Sequence, residues 1–269
     1  MHLFDFDRAI VREPSRSVVD GLRSDSDALP DYDVIVREHT AYIAALRGAG
    51  LAVEVLPPLE PFPDSMFVED PALVFPEAAV LLRPGAPSRL GETEEMRPAL
   101  KRQFQTVLEL GSGQSVDGGD VLITLDSVVI GISARTSTAG ADALSGKLAS
   151  LGRTARTVPV PESMLHLKSG AALLDEETLL ATRRMESTGL FAGFRTILAP
   201  EGESAAANAI RINGTVFVGG CYPRTLDLLA KENFRVVPLP VTEVAKLDAG
   251  LSCMSLRWRS KAMTPGSGG

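Results

Sequence analysis

Asp117, His166 and Cys253 are residues whose types together amount to a reaction. A cysteine attacks carbon as its thiolate, and it needs an acid–base nearby and a third group that fixes the imidazole. Cys253 stands in Leu251-Ser252-Cys253-Met254-Ser255, His166 in Leu165-His166-Leu167-Lys168-Ser169 and Asp117 in Val116-Asp117-Gly118-Gly119-Asp120. Far apart in the chain, the three hold the same local position, in a polar cluster that an apolar run follows. Glu69-Asp70 and Asn208 hold it too. An isolated cysteine between apolar residues is ordinarily a buried, inert small hydrophobe. That bland reading is kept for Cys221, at a strand end in Gly219-Gly220-Cys221-Tyr222-Pro223. Of the remaining histidines, His2 is terminal and expected in solvent, and His39, beside Arg37 and Glu38, is expected on a helix surface.

The elements that must bring these groups together repeat. After each cluster comes an apolar strand, a turn and a second apolar strand: Ala72–Phe75 and Ala79–Leu82, Val121–Leu125 and Val128–Ile132, Ala171–Leu174 and Thr178–Thr182, Ala209–Ile212 and Thr215–Val218. The last pair is joined by Asn213-Gly214, a strong hairpin signal. Helices are expected over Glu92–Leu108, Ala139–Leu151 and Arg224–Glu232, with strands at Thr154–Val160, Arg195–Ala199 and Arg235–Leu239. Val34–Arg47 and Ala52–Leu56 have the same helix–strand relation. The unit is strand–strand–helix–strand, repeated roughly every 40–50 residues, as in propeller-like arrays. A fifth unit begins at Leu247 but has room for one strand, Met254–Trp258; Ala9–Arg12 can supply its partner and close a ring. In a closed ring, equivalent positions converge on the axis. Carboxylates, a histidine and a cysteine would then meet in one mouth.

Composition sets the class. The chain has 269 residues, 45% hydrophobic and 23% charged, which fits a soluble globular protein with a sizeable core. We expect one catalytic domain over residues 1–260 and a fraying tail over 261–269, rich in glycine. A net charge of −7 argues against a nucleic-acid partner but suits a cationic small molecule. Two cysteines make no disulfide framework, so a reducing, cytoplasmic setting is expected. The first residues lack the basic and apolar regions of a signal peptide, and no window approaches the roughly 20 apolar residues of a membrane span.

Five segments, in order, carry a specific resemblance: Phe62–Asp70, Arg83–Arg89, Val116–Leu122, Leu165–Ser169 and Leu251–Cys253. Together they resemble the dimethylarginine dimethylaminohydrolase family, with matches running from about Arg8 to Trp258. The resemblance implies a five-unit α/β-propeller of ββαβ modules, the pentein fold of the amidinotransferase superfamily. It also implies Cys253 as nucleophile, His166 as acid–base and Asp117 as its partner. Asp70, Glu69 and Asp248 would line a guanidinium site, and Asp64 would help hold an α-amino group. Arg89 and Arg135 would grip an α-carboxylate, and Leu22 would belong to a mobile lid within Pro14–Asp33. Vertebrate members carry a second cysteine beside the nucleophile; Met254 stands there in this chain.

The expected reaction is hydrolysis of an N-methylated arginine to citrulline and methylamine or dimethylamine through a covalent thiouronium on Cys253. It calls for no metal or organic cofactor, although a Cys, a His and carboxylates in one mouth could capture zinc adventitiously. Acidic surroundings disfavour a thiolate, so the cationic substrate itself is expected to help ionise Cys253. The partner is a small molecule, with neither nucleic acid nor membrane, and a homodimer is compatible with the sequence. Two rival readings stand beside this one. Arginine deiminase or amidinotransferase chemistry would keep the same Cys–His–carboxylate set. A non-catalytic propeller, like ribosome-associated anti-association factors, would have no need of it.

Overall fold

A computed structural model describes residues 3–25, 27 and 29–261. His2 and the expected tail beyond Lys261 lie outside these residues. The remainder forms five three-stranded sheets. The first is β1 (Arg8–Arg12) with β2 (Ala52–Leu56); its third strand arrives only at the far end of the chain. The second holds β3 (Ala72–Val74), β4 (Ala79–Leu81) and β5 (Val107–Glu109). The third holds β6 (Val121–Ile123), β7 (Val128–Ile132) and β8 (Ala155–Pro159). The fourth holds β9 (Ala171–Leu173), β10 (Thr178–Ala181) and β11 (Arg195–Leu198). The fifth holds β12 (Ile210–Ile212), β13 (Thr215–Gly219) and β14 (Val236–Leu239). Finally β15 (Leu256–Trp258) pairs antiparallel with β1, Ile10 opposite Leu256, and completes the first sheet.

Every sheet has the same logic. In four sheets a short hairpin makes the first pair antiparallel, as a tight turn permits, and in the first sheet β15 and β1 make it from the two ends of the chain. The middle strand then pairs in parallel with the third, which requires a crossover. The crossovers carry α1 (Tyr32–Gly48), α2 (Glu92–Gln103), α3 (Thr138–Ser150), the single turn α4 (Arg183–Glu186) and α5 (Pro223–Lys231). The caps come from the sequence: the Asp31 carboxylate accepts from Val34 N at α1, and Ser137 Oγ accepts from Gly140 N at α3. The chain is a five-unit α/β-propeller, as its repeat predicts.

Two expectations need correction. The helix expected over Glu92–Leu108 stops at Gln103; Phe104 is extended, and Val107–Glu109 leaves to pair with β4. The β-branched Thr106 and Val107 favour that outcome. His39 is 2% exposed rather than on a helix surface. Ile35, His39, Tyr42 and Leu46 recur at helical spacing and form the inward face of α1. Burial pushes the His39 imidazole down to about 4.

What matters for function lies before each first strand. Short 3-10 turns stand there: Gly118–Asp120 before β6, Leu167–Ser169 before β9, Ser204–Ala207 before β12 and Ser252–Met254 before β15. They pack closely round the ring axis. A β-carbon on Gly118 would lie 1.9 Å from the Glu69 carbonyl oxygen, so only glycine fits. The polar clusters of the sequence are these turns.

Candidate active site

Cys253 and its surroundings are fixed by backbone contacts from three units. The Cys253 carbonyl accepts from Glu69 N (3.1 Å), and Ser252 N donates to Asn208 Oδ1 (3.0 Å). Asn208 Nδ2 stands 3.8 Å from the sulfur. Below, the buried Tyr42 hydroxyl donates to Leu251 O (2.9 Å) and meets Ser255 Oγ at 2.6 Å, pinning the chain on both sides of the cysteine. Half-buried, Cys253 opens into a small cavity of about 40 Å³.

His166 and Asp117 reach the same cavity from the neighbouring turns. His166 Nε2 lies 2.9 Å from Asp117 Oδ2, and Asp117 Oδ1 accepts from Gly85 N (2.6 Å). One carboxylate oxygen is thus anchored to the main chain while the other orients the ring. Thr136 Oγ1 accepts from Asp117 N (3.1 Å) and donates to Asp120 Oδ2 (2.7 Å). Asp120 Oδ1 in turn accepts from Leu167 N (2.9 Å), next to His166. Gly119 lets the ring come close: a β-carbon there would lie 2.6 Å from His166 Nδ1.

The charges of the site follow from its carboxylates. Burial opposes protonation of His166, but Asp70, Asp117 and Asp120 outweigh it and raise the imidazole to about 9. Burial pushes the Cys253 thiol up to about 11, with Glu69 and Asp70 adding to the rise. For Asp70, burial is overcome by Arg89, His166 and the Gly119 N–H, which together hold the carboxyl below its usual range. At neutral pH these shifts favour an imidazolium, a thiol and an ionised Asp70. Asp70, Asp117 and His166 also present ligand atoms within 4.8 Å of one another, a set that could take a metal ion. Those carboxylates are already engaged, Asp70 Oδ2 by Arg89 Nη1 at 2.5 Å and Asp117 by His166 and Gly85.

Of the residues singled out in the sequence, Leu22, Asp64, Asp70, Arg89, Asp117, Arg135, His166, Asp248 and Cys253 all line this cavity. Glu69 does not. Its carboxylate is bound to Lys168 Nζ (2.6 Å) and Ser252 Oγ (3.0 Å), behind the cavity wall. The two arginines also differ. Arg89 is 5% exposed, and its guanidinium serves Glu92, Asp70 and the carbonyls of Asp64 and Phe67, leaving one Nη1 hydrogen uncommitted. Arg135 is partly exposed, with no ion pair to its guanidinium among the described residues. Asp248 is turned to the segment over the site: Ser24 N (2.6 Å) and Ser24 Oγ (2.9 Å) donate to its carboxylate. Leu22 N donates to Asp64 Oδ1 (3.0 Å). Of the expected lid, Ser26 and Ala28 lie outside the described residues. Cys221 is exposed rather than buried, because β13 ends at Gly219 and the chain turns there into α5.

The profile of the arginine deiminase family matches residues 58–217. The N(G),N(G)-dimethylarginine dimethylaminohydrolase of Pseudomonas aeruginosa is 41% identical over 254 residues, covering 94% of this chain and 100% of that one. The chain belongs to the dimethylarginine dimethylaminohydrolase family. The dimethylarginine dimethylaminohydrolase of Streptomyces coelicolor is 32% identical, covering 94% of this chain and 97% of that one. A solved structure of the Pseudomonas aeruginosa dimethylarginine dimethylaminohydrolase, a cysteine-to-serine mutant complexed with citrulline, matches with a TM-score of 0.91 over 94% of this chain and 100% of that one. The N-terminal domain of a cyanobacterial arginine dihydrolase, 20% identical, shares the fold at a TM-score of 0.82 over 93% of this chain and 96% of that one.

Several groups in this site were not assigned a part from sequence. Asn208 was legible as an equivalent position in the repeat, yet nothing in its type marked it as a neighbour of the sulfur. Asp120 stood in a quoted motif, but its hold on Leu167 spans 47 residues. Glu92 enters the sequence reading only as the first residue of an expected helix. It is 2% exposed, and burial raises its carboxyl to about 7 despite the Arg89 guanidinium beside it.

Proposed function

We propose that this chain hydrolyses Nω-methylated L-arginine to L-citrulline, releasing methylamine or dimethylamine. The observation that carries the reading is a cysteine opening into one cavity with an Asp-held imidazolium and the ionised Asp70. The family supports it, as does the citrulline bound in the related structure. Asp70 receives the planar cation; each of its oxygens keeps an acceptor position beyond those used by Arg89 and Gly119. Arg135, uncommitted, takes the α-carboxylate with the last N–H of Arg89, and Asp64 lies toward the α-amino group. Asp248 and Leu22 hold the covering segment.

Entry of the cation lowers the cost of a thiolate, and the thiol proton leaves to solvent. The sulfur attacks the central guanidinium carbon. His166, already protonated, gives its proton to the departing amine as the C–N bond breaks, and a thiouronium cation remains on Cys253. Water then attacks that carbon and loses one proton to His166. The C–S bond breaks, the second proton returns the sulfur to its thiol, and the neutral urea of citrulline leaves. A neutral product binds Asp70 less well than the cation did, which favours release.

Cys253→Ser is expected to abolish citrulline formation without altering the circular dichroism spectrum, since a serine hydroxyl lacks a strong base here. Cys221→Ser is expected to keep wild-type turnover. Equal losses in the two variants would remove Cys253 from the chemistry. Arginine, monomethylarginine and dimethylarginine assayed side by side separate this activity from arginine deimination; preferential turnover of unmethylated arginine would overturn the reading.

A further inference from the structure

A second, larger cavity of about 330 Å³ lies on the ring axis behind the catalytic one, a size suited to small molecules. The first strands of all five units line it, β3, β6, β9, β12 and β15. No residue lines both cavities. The partition is the pair Glu69 and Ser252, which face the second cavity while their chain neighbours Asp70 and Cys253 face the first.

The second cavity combines apolar walls with excess positive charge. Leu122, Leu173 and Ile210 supply hydrocarbon; of the five basic residues that line it Arg153 is paired with Glu77, and the other four stand against two acidic ones, Asp5 and Glu69. At its floor Lys168 and Arg257 share the single carboxylate of Glu69. Both cations keep 15% of their side chains exposed, whereas Glu69 keeps 6%. Arg257 Nη1 is held by Ser255 O (2.9 Å) and Ser255 Oγ (2.6 Å), which fixes the guanidinium plane. Its Nη2 stands 3.8 Å from Glu69, beyond hydrogen-bond reach. Lys168 spends one of its three N–H donors on Glu69. Two cations against one carboxylate leave one positive charge, with free donors, in a partly desolvated chamber. Such a charge is costly unless paired.

We propose that this cavity binds an amphipathic monocarboxylate, its head on Lys168 and Arg257 and its hydrocarbon body between the inner strands. A neutral alcohol of the same length leaves the charge unpaired, and an alkylammonium adds to it.

The chain's one tryptophan, Trp258, lines the cavity and reports on occupancy. Octanoate, octanol, octylammonium and acetate are titrated while Trp258 emission is followed. Octanoate is expected to give a saturable change below about 1 mM, and the other three none in that range. Arg257→Gln is expected to weaken octanoate roughly tenfold or more, as loss of a charge-assisted contact does. Arg259→Glu, at an exposed position of the lining, is expected to weaken it several-fold with the circular dichroism spectrum unchanged. An unchanged emission with octanoate, equal binding of octanol or octylammonium, or undiminished octanoate binding in Arg259→Glu would each overturn the proposal.

Discussion

In the proposed reaction a thiol raised to about 11 beside an imidazole raised to about 9 leaves the free cysteine slow, and the bound cation speeds it. The sign is that of an acid whose charged form is disfavoured: the thiolate fraction is small at neutral pH and grows as pH rises toward the folded value. Alkylation of Cys253 by neutral iodoacetamide should therefore climb about tenfold per pH unit between about pH 7 and pH 9. A cationic haloacetamidine, which brings its own charge to Asp70, should react readily at pH 7. A plateau in the iodoacetamide rate by pH 8 would show that the thiol ionises without help. At this scale the sequence was informative where a shared position in the repeat, rather than residue type, picked out Cys253, His166 and Asp117, which do line one cavity. It misled where two neighbours diverge. Glu69 and Asp70 read as one acidic pair, but consecutive side chains point apart, and each serves a different cavity. Arg89 is expected to grip an α-carboxylate, yet its guanidinium is largely taken by Asp70 and by Glu92, three residues on.

The recurring 3-10 turns do for the propeller what loops do on other scaffolds: they bring polar groups to a point while the strands behind them stay apolar. Their packing leaves little slack. Gly119→Ala would place a methyl 2.6 Å from His166 Nδ1 and push the ring off Asp117. We expect kcat to fall about a hundredfold, as an ångström-scale misplacement does, with the melting temperature little changed; wild-type kcat in this variant would mean the ring has other room. Asp248 sits at φ 52, a left-handed conformation that glycine adopts freely. Asp248→Gly thus removes the carboxylate from Ser24 without adding backbone strain. Losing such contacts costs about 1.5–3 kcal/mol, so trypsin should cut after Arg23 about tenfold faster or more, and KM should rise. Unchanged cleavage would mean that the segment is held elsewhere. Hairpins were the most legible elements, because a turn such as Asn213-Gly214, with Asn213 at φ 52, writes its conformation in two residues. The 3-10 turns were visible only as polar clusters, since nothing local separates a tight turn from a loop. The length of α2 was overrun because Val107 and Leu108 suit either period.

At the scale of the whole molecule, ring closure is the decisive contact. Only β15, from the end of the repeat, can complete the sheet that β1 begins. Trp258 locks it, 4% exposed and 5.0 Å from the Phe104 ring. Trp258→Ala should cost about 3–5 kcal/mol, measured by denaturant unfolding followed by circular dichroism. A loss under about 1 kcal/mol would mean that the closure rests on strand pairing alone. The ring itself was legible, because an unpaired last strand and an unpaired first strand have one economical solution; the existence of a second chamber was not, since nothing in an apolar strand's sequence separates a packed axis from a hollow one. Chain order adds a consequence for biosynthesis. Cys253 is made after every other member of its site, and Glu69 N can grip its carbonyl only once β15 has returned to β1. A nascent chain still on the ribosome, with four units already folded, would carry Asp117 and His166 but no sulfur to act with. Activity should switch on in a single late step of synthesis, and a polypeptide broken off before β15 should be inert however well its other sheets have formed.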